Sequence, residues 1–112
     1  MTAIRPDKPA AYYGRPRREM IAQVPATARR VLDVGCGAGA FGAGLKSAWS
    51  ERGETLEIWG LEMDPEAGAR AAAVLDRVLI GDAAALAADL PAGHFDAVVF
   101  NDVLEHVLDP GA

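Results

Sequence analysis

Apolar residues along this chain fall into two patterns, short continuous runs and longer stretches with helical spacing. Four runs, at 31–34, 56–61, 78–80 and 95–100, have the length and composition of buried strands. Apolar residues three and four positions apart predict helices over 16–24, 40–52 and 65–75, with a shorter one over 83–89. Pro25 and Gly53 are predicted to end the first two helices. The chain therefore alternates strands with helices.

This alternation predicts an α/β fold, a three-layer sandwich in which a parallel sheet is covered by helices on both faces. Such sheets bind ligands beyond the carboxyl ends of their strands. The candidate site residues are therefore the polar or glycine residues that follow each strand. These are the loop after residue 34, Glu62, Asp82, and the group Asn101, Asp102, Glu105 and His106.

The first strand is followed by a glycine loop with glycines at 35, 37, 39 and 42. Glycine permits positive φ and lets backbone approach a ligand closely, and a loop between a strand and a helix directs N–H groups at that ligand. The spacing of Gly37, Gly39 and Gly42 also fits the dinucleotide pattern G-x-G-x-x-G. The glycines alone thus predict a nucleotide-like ligand and leave NAD as an alternative.

Carboxylates near this loop narrow the choice of ligand. Glu62 can accept hydrogen bonds from both hydroxyls of a ribose, although its place about 20 residues past the loop fits NAD equally well. Asp82 can accept from an adenine amine. Asp33 adds a negative charge beside the loop, which disfavours phosphate and favours an ammonium or sulfonium group. These acids predict a ligand with hydroxyls, amino groups and positive charge.

Composition and charge set the broad class of the protein. The 112 residues suffice for one domain, 51% are hydrophobic, and we expect no membrane span. Residues 1–30 hold seven Lys and Arg against two acids, whereas residues 31–112 hold four against fourteen. This acidic body argues against a nucleic-acid partner. The single Cys36 excludes an internal disulfide and, without a predicted secretory signal, favours the cytoplasm.

Four segments, 31–39, 60–65, 81–82 and 95–106, resemble successive motifs of class I S-adenosylmethionine-dependent methyltransferases. The resemblance implies a Rossmann-like fold in which the four predicted strands take the order 3-2-1-4. It also implies S-adenosylmethionine (SAM) as cofactor and S-adenosylhomocysteine (SAH) as product. The implied cofactor residues are Gly35, Cys36, Gly37 and Gly39 for the methionine part, Glu62 for the ribose, Met63 and Asp82 for the adenine, and Asn101 for the methionine or sulfonium end. Tyr12 and Tyr13 resemble the aromatic lead that closes over the cofactor in this family.

The implied reaction is in-line methyl transfer to a small-molecule acceptor, for which positioning supplies much of the rate. His106 is the first choice for a general base, ahead of Glu105 and Asp102. We predict no metal site. Two alternatives stay open: a SAM-binding module without catalysis, and an NAD-type oxidoreductase.

The chain departs from the family pattern after the fourth strand, where members normally continue with a helix and three further strands. We therefore expect an N-terminal lead or strap over 1–14 and a cofactor-binding domain over 15–112 that is incomplete at its C-terminus. This interpretation leaves residues 98–100 on an open apolar edge. Such an edge favours pairing with a second copy, which predicts a homodimer.

Overall fold

The computed structural model describes residues 2–4 and 16–101. Its elements follow the chain as β1 (Thr2–Ile4), α1 (Pro16–Gln23), β2 (Arg30–Val34), α2 (Ala40–Glu51), β3 (Glu57–Glu62), α3 (Pro65–Ala72), β4 (Arg77–Ile80), α4 (Ala83–Ala87) and β5 (Ala97–Phe100). Every helix and strand predicted from the sequence is present, with ends displaced by a few residues. Over these residues, no helix has both the length and the apolar character needed to cross a membrane.

The five strands form one parallel sheet in the order β1-β5-β2-β3-β4. The four predicted strands take the predicted order, because β4, β3, β2 and β5 are neighbours in that sequence. In the register, Val34 pairs with both Leu61 and Phe100, and Glu62 pairs with Ile80. The carboxyl ends of β2 to β5 therefore meet along a single edge, which we call the carboxyl edge.

The strand β1 was not predicted. Thr2 to Ile4 pair in parallel with Ala97 to Val99 and occupy the outer side of β5. The expectation of an open edge at residues 98–100 is therefore wrong. A strand edge presents a row of N–H and C=O groups that need partners, and the start of the same chain supplies them. The homodimer stays a prediction, without an open β5 edge to support it.

Each face of the sheet carries its own apolar cluster. On one face, α1, α2 and α3 pack against β2 and β3, with Leu45, Trp49 and Ile58 at most 2% exposed. The Trp49 indole donates from Nε1 to the Ala28 carbonyl at 2.8 Å, which satisfies its polar atom inside the core. On the other face, α4 and the segment after it cover Leu32, Val34, Leu61, Phe95 and Val98. The predicted three-layer sandwich is therefore present.

Asp76, in the turn before β4, connects α2 to β3 through its carboxylate. Its Oδ2 accepts from the Ile58 N–H at 2.7 Å and from the Lys46 ammonium at 2.5 Å. Burial raises the pKa of Asp76, but the hydrogen bonds from Lys46 and Ile58 outweigh it, and the net pKa is lowered. A lowered pKa in the folded state means that this carboxylate stabilises the fold above its unfolded pKa and loses that contribution as the pH falls through the folded value.

An Asp76→Asn variant is expected to be less stable by about 1 kcal/mol at pH 7, because it loses a charge-assisted bond that is partly screened by solvent. Urea unfolding measures the difference. As the pH falls from about 4 toward 2, the free energy of unfolding of the wild-type protein should approach that of the variant. Asp89→Asn, at an exposed position, is the control and should change little. A difference that persists unchanged at low pH contradicts the assignment.

Candidate functional site

Most of the predicted site residues lie along the carboxyl edge in the order that the sheet imposes. Asn101 follows β5 and the loop of residues 35–39 follows β2. Glu62 is the last residue of β3, Met63 follows it, and Asp82 comes two residues after β4. Neighbouring parallel strands bring these groups within reach of one extended ligand. Among the residues described, no cluster of three His, Cys, Asp or Glu side chains is placed to hold a metal ion.

The glycine loop has a backbone that side chains other than glycine rarely adopt. Gly35, Gly37 and Gly39 have φ of 76°, 56° and 92°. The N–H groups of Gly35 and Cys36 both donate to the Leu61 carbonyl, at 2.8 and 3.1 Å. The loop is therefore attached by two hydrogen bonds to the end of β3.

Gly39 has a second reason to be glycine. A Cβ at this position would lie 2.7 Å from Cγ2 of Val74 and 3.1 Å from Cα of Ala71. Its absence lets α2 begin directly at the carboxyl edge, beside the end of α3. The first turn of α2 has no side-chain cap at Gly39, so the positive end of a 12-residue helix faces this edge.

Glu62 connects β3 to the glycine loop. Its Oε1 accepts from the Gly37 N–H at 2.7 Å, and its Oε2 accepts from the Asp64 N–H at 3.0 Å. Both carboxylate oxygens are therefore oriented by backbone donors. The sequence predicts a carboxylate at position 62. It does not predict the two donors, because every residue except proline has a backbone N–H group.

Asp33 is buried completely, with 0% exposure. The Asn101 side chain donates from Nδ2 to Oδ1 of Asp33, and the Asn101 N–H donates to the Val34 carbonyl at 2.9 Å. The carboxylate is thus held beneath Asn101 where β2 and β5 end. The structure brings the two predicted residues together and places Asn101, which is partly exposed, between Asp33 and solvent.

Met63 and Asp82 lie at the β3 and β4 end of the edge. The Met63 side chain is 68% exposed, an unusual position for a large apolar group. Asp82 is exposed and caps α4, accepting at Oδ2 from the Ala85 N–H at 3.1 Å. The Gly81 N–H donates to the Glu62 carbonyl at 2.9 Å, which keeps the two strand ends adjacent.

Cys36 packs inward below the loop. It is 6% exposed, and a Cβ at Gly60 would lie 2.5 Å from its Sγ. The thiol therefore fills the space that Gly60 leaves open in β3, a packing role that requires a small side chain. Tyr12, Tyr13, Asp102, Glu105 and His106, which were also predicted to serve the site, lie outside the described residues.

Comparison with known proteins identifies the family. A family profile described as a methyltransferase domain matches residues 8–112. The chain belongs to this methyltransferase family. The resemblance seen in the sequence motifs is therefore confirmed over nearly the whole chain. No curated protein matches the chain significantly.

Solved structures of methyltransferases share its fold. A SAM-dependent methyltransferase from Archaeoglobus fulgidus is 28% identical with a TM-score of 0.62, over 93% of this chain and 42% of that one. A TehB-like SAM-dependent methyltransferase from Corynebacterium glutamicum is 26% identical with a TM-score of 0.52, over 84% and 47%. Magnesium protoporphyrin IX methyltransferase from Synechocystis, solved with SAH, is 19% identical with a TM-score of 0.62, over 86% and 45%. This methyltransferase chain spans less than half the length of each.

Proposed function

We propose that this chain binds S-adenosylmethionine along the carboxyl edge and forms the cofactor-binding part of an enzyme that methylates a small molecule. The observation that carries the proposal is the contact between Glu62 and the Gly37 N–H. It joins the glycine loop to the acid of the next strand, so that the N–H donors in the first turn of α2 and a carboxylate acceptor lie along one edge. SAM offers a matching set of groups, since it has a carboxylate, an ammonium and a ribose diol.

The nucleoside half fits the β3 and β4 end of the edge. Because Gly37 and Asp64 orient the two oxygens of Glu62, this carboxylate is prepared to accept hydrogen bonds from two adjacent ribose hydroxyls. The exposed side chain of Met63 supplies an apolar surface for the adenine ring. Oδ1 of Asp82 is the acceptor that we assign to the adenine amine.

The methionine half fits the β2 and β5 end. The uncapped N–H groups in the first turn of α2 favour its carboxylate. Asn101 directs its amide N–H toward Asp33, so its amide oxygen faces the opposite way and can accept from the ammonium. The charge of Asp33 behind it strengthens that interaction. Tyr13 of the N-terminal lead is assigned to close over the cofactor.

The bound cofactor supplies an electrophilic methyl group on its sulfonium. The chain orients this group and its surroundings, and we assign His106 as the base that accepts a proton from the methyl acceptor. The acidic edge argues against NAD, because Asp33, Glu62 and Asp82 disfavour a pyrophosphate. A module without catalysis shares the same cofactor contacts. The lone cysteine supports a cytoplasmic setting.

Calorimetric titration with SAM, SAH and NAD tests the proposal. We expect SAM and SAH to bind with Kd values below about 1 mM, which is the weak limit of the range in which enzymes commonly bind their substrates. NAD should give no heat of binding. Binding of NAD alone would overturn the assignment. Methyl transfer by the protein to a panel of metabolites, with a His106→Gln variant beside it, then separates an enzyme from a binding module.

A further inference from the structure

A second group of interacting side chains lies on the sheet face that α4 covers, near the amino ends of the strands. It comprises Glu57 at the start of β3, Trp59 two residues later, and His94 and Phe95 in the segment before β5. The strand β2 lies between β3 and β5 in the sheet. The contacts of His94 therefore reach across β2 and connect parts of the chain that the sheet itself does not pair.

A single carboxylate oxygen is at the centre of this group. Oε2 of Glu57 accepts from the Trp59 Nε1 at 2.7 Å and lies 2.7 Å from the His94 Nε2. A carboxylate can only accept, so Nε2 of His94 carries the hydrogen of this bond. The His94 side chain is only 23% exposed.

The imidazole is also packed between aromatic rings. The centroid of the imidazole lies 5.3 Å from that of Trp59 and 4.9 Å from that of Phe95. The guanidinium of Arg77 lies 4.9 Å from the centroid of the Trp59 ring. These contacts hold the ring in position whatever its charge. Its remaining exposure still lets it exchange protons with solvent.

We propose that His94 and Glu57 form a pH-responsive clasp, which holds the segment before β5 against the start of β3 and tightens when His94 is protonated. Histidine is the side chain that ordinarily changes charge between pH 5 and 8. Its protonation turns a neutral donor into a cationic one, so the hydrogen bond to the Glu57 carboxylate becomes an ion pair and gains a Coulombic attraction. The clasp lies away from the carboxyl edge, so it does not depend on the proposed cofactor.

Three other charged groups lie around the clasp. Arg30 of β2 lies 3.8 Å from Glu57 through its Nε, and Arg77 of β4 stacks on Trp59. Asp96, after His94, accepts from the backbone N–H groups of Arg29 and Arg30.

The hydrogen bond from His94 lowers the pKa of Glu57, against the effect of burial and with help from Trp59 and Arg30. The acid therefore stays ionised below its usual range, and the clasp opens at low pH only where Glu57 itself takes up a proton.

A double-mutant cycle with His94→Gln and Glu57→Gln tests the clasp by urea unfolding. Glutamine keeps a donor at position 94 but cannot be protonated near neutral pH. We expect a coupling of about fivefold in the unfolding equilibrium constant at pH 6 and about twofold at pH 8.5. Glu66→Gln gives the matched control, since this exposed acid of α3 pairs with Arg70 and should show no coupling to His94. Equal coupling at the two pH values, or none at either, overturns the proposal.

Tryptophan fluorescence gives a second readout that needs no unfolding. A protonated imidazole in contact with an indole quenches its emission, so wild-type fluorescence should fall between pH 8.5 and 6. The fall should be absent in His94→Gln, while Trp49, which lies on the other face of the sheet, contributes equally to both proteins. The same pH dependence in the variant would also overturn the clasp.

Discussion

A Gly37→Val variant should lose about 10- to 100-fold in affinity for SAH while the domain stays folded. Gly37 has a φ of 56°, a region that a β-branched residue occupies only with strain, so valine forces the loop into another backbone conformation. The N–H of residue 37 then leaves Oε1 of Glu62. The expected loss corresponds to one hydrogen bond to a charged group, about 1.5 to 3 kcal/mol. Calorimetric titration measures it.

Gly53 offers a matched control for this variant. It has a φ of 76° in the turn after α2, and nothing lies within 4 Å of a Cβ built on it. Gly53→Val therefore introduces a comparable backbone strain, about 1 to 3 kcal/mol, away from the carboxyl edge. We expect the two variants to lose similar stability and only Gly37→Val to lose binding. Equal affinities for SAH in both variants would show that the loop is a structural turn and no more.

The elements of this fold were predictable because each leaves a local signal. Asp64 followed by Pro65 predicted a capped helix start, and Oδ2 of Asp64 accepts from the Ala67 N–H at 3.0 Å as such a cap requires. Phe41, Leu45 and Trp49 predicted one buried face of a helix, and all three are buried in α2. Continuous apolar strands then implied a parallel sheet, from which the position of the carboxyl edge follows.

What the sequence could not predict depends on contacts between distant residues. Thr2 to Ile4 form too short a run for any periodicity, and their pairing is decided by the free side of β5, more than ninety residues away in the chain. His94 lies in a turn-like segment, and nothing near it in the sequence indicates Glu57 as its partner. Long-range pairing of this kind overrides local propensity.

The features of the candidate site also separate into those that the sequence predicts and those that depend on distant contacts. The side chains of Glu62 and Asp82 were predictable as strand-end acids, and the glycines of the loop as positions that need positive φ. The backbone N–H groups that orient Glu62 were not predictable, and neither was the depth at which Asp33 is buried. Sequence patterns therefore indicated which residues line the edge, while the structure shows which of them act as pairs.

The pair formed by Asp33 and Asn101 leads to the second large effect. Removing the amide donor with Asn101→Ala leaves a fully buried carboxylate without that hydrogen bond, at an expected loss of about 1.5 to 3 kcal/mol. Asn101→Asp should be worse, because it places two carboxylates against each other in the low dielectric at the sheet end. Urea unfolding at pH 7 measures both.

The exchanged double variant, Asp33→Asn with Asn101→Asp, separates pairing from any general sensitivity of the two positions. It restores one amide donor opposite one carboxylate, so it should recover most of the stability that Asn101→Asp loses. It also moves the negative charge outward, to the partly exposed position 101, where the ammonium of SAM is proposed to lie. We therefore expect the exchanged protein to bind SAH more tightly than the wild type does. Its affinity for methylthioadenosine, which lacks the amino-acid part, should not increase. Effects of the two substitutions that simply add would contradict the pairing, because directly interacting residues are the ones whose effects do not add.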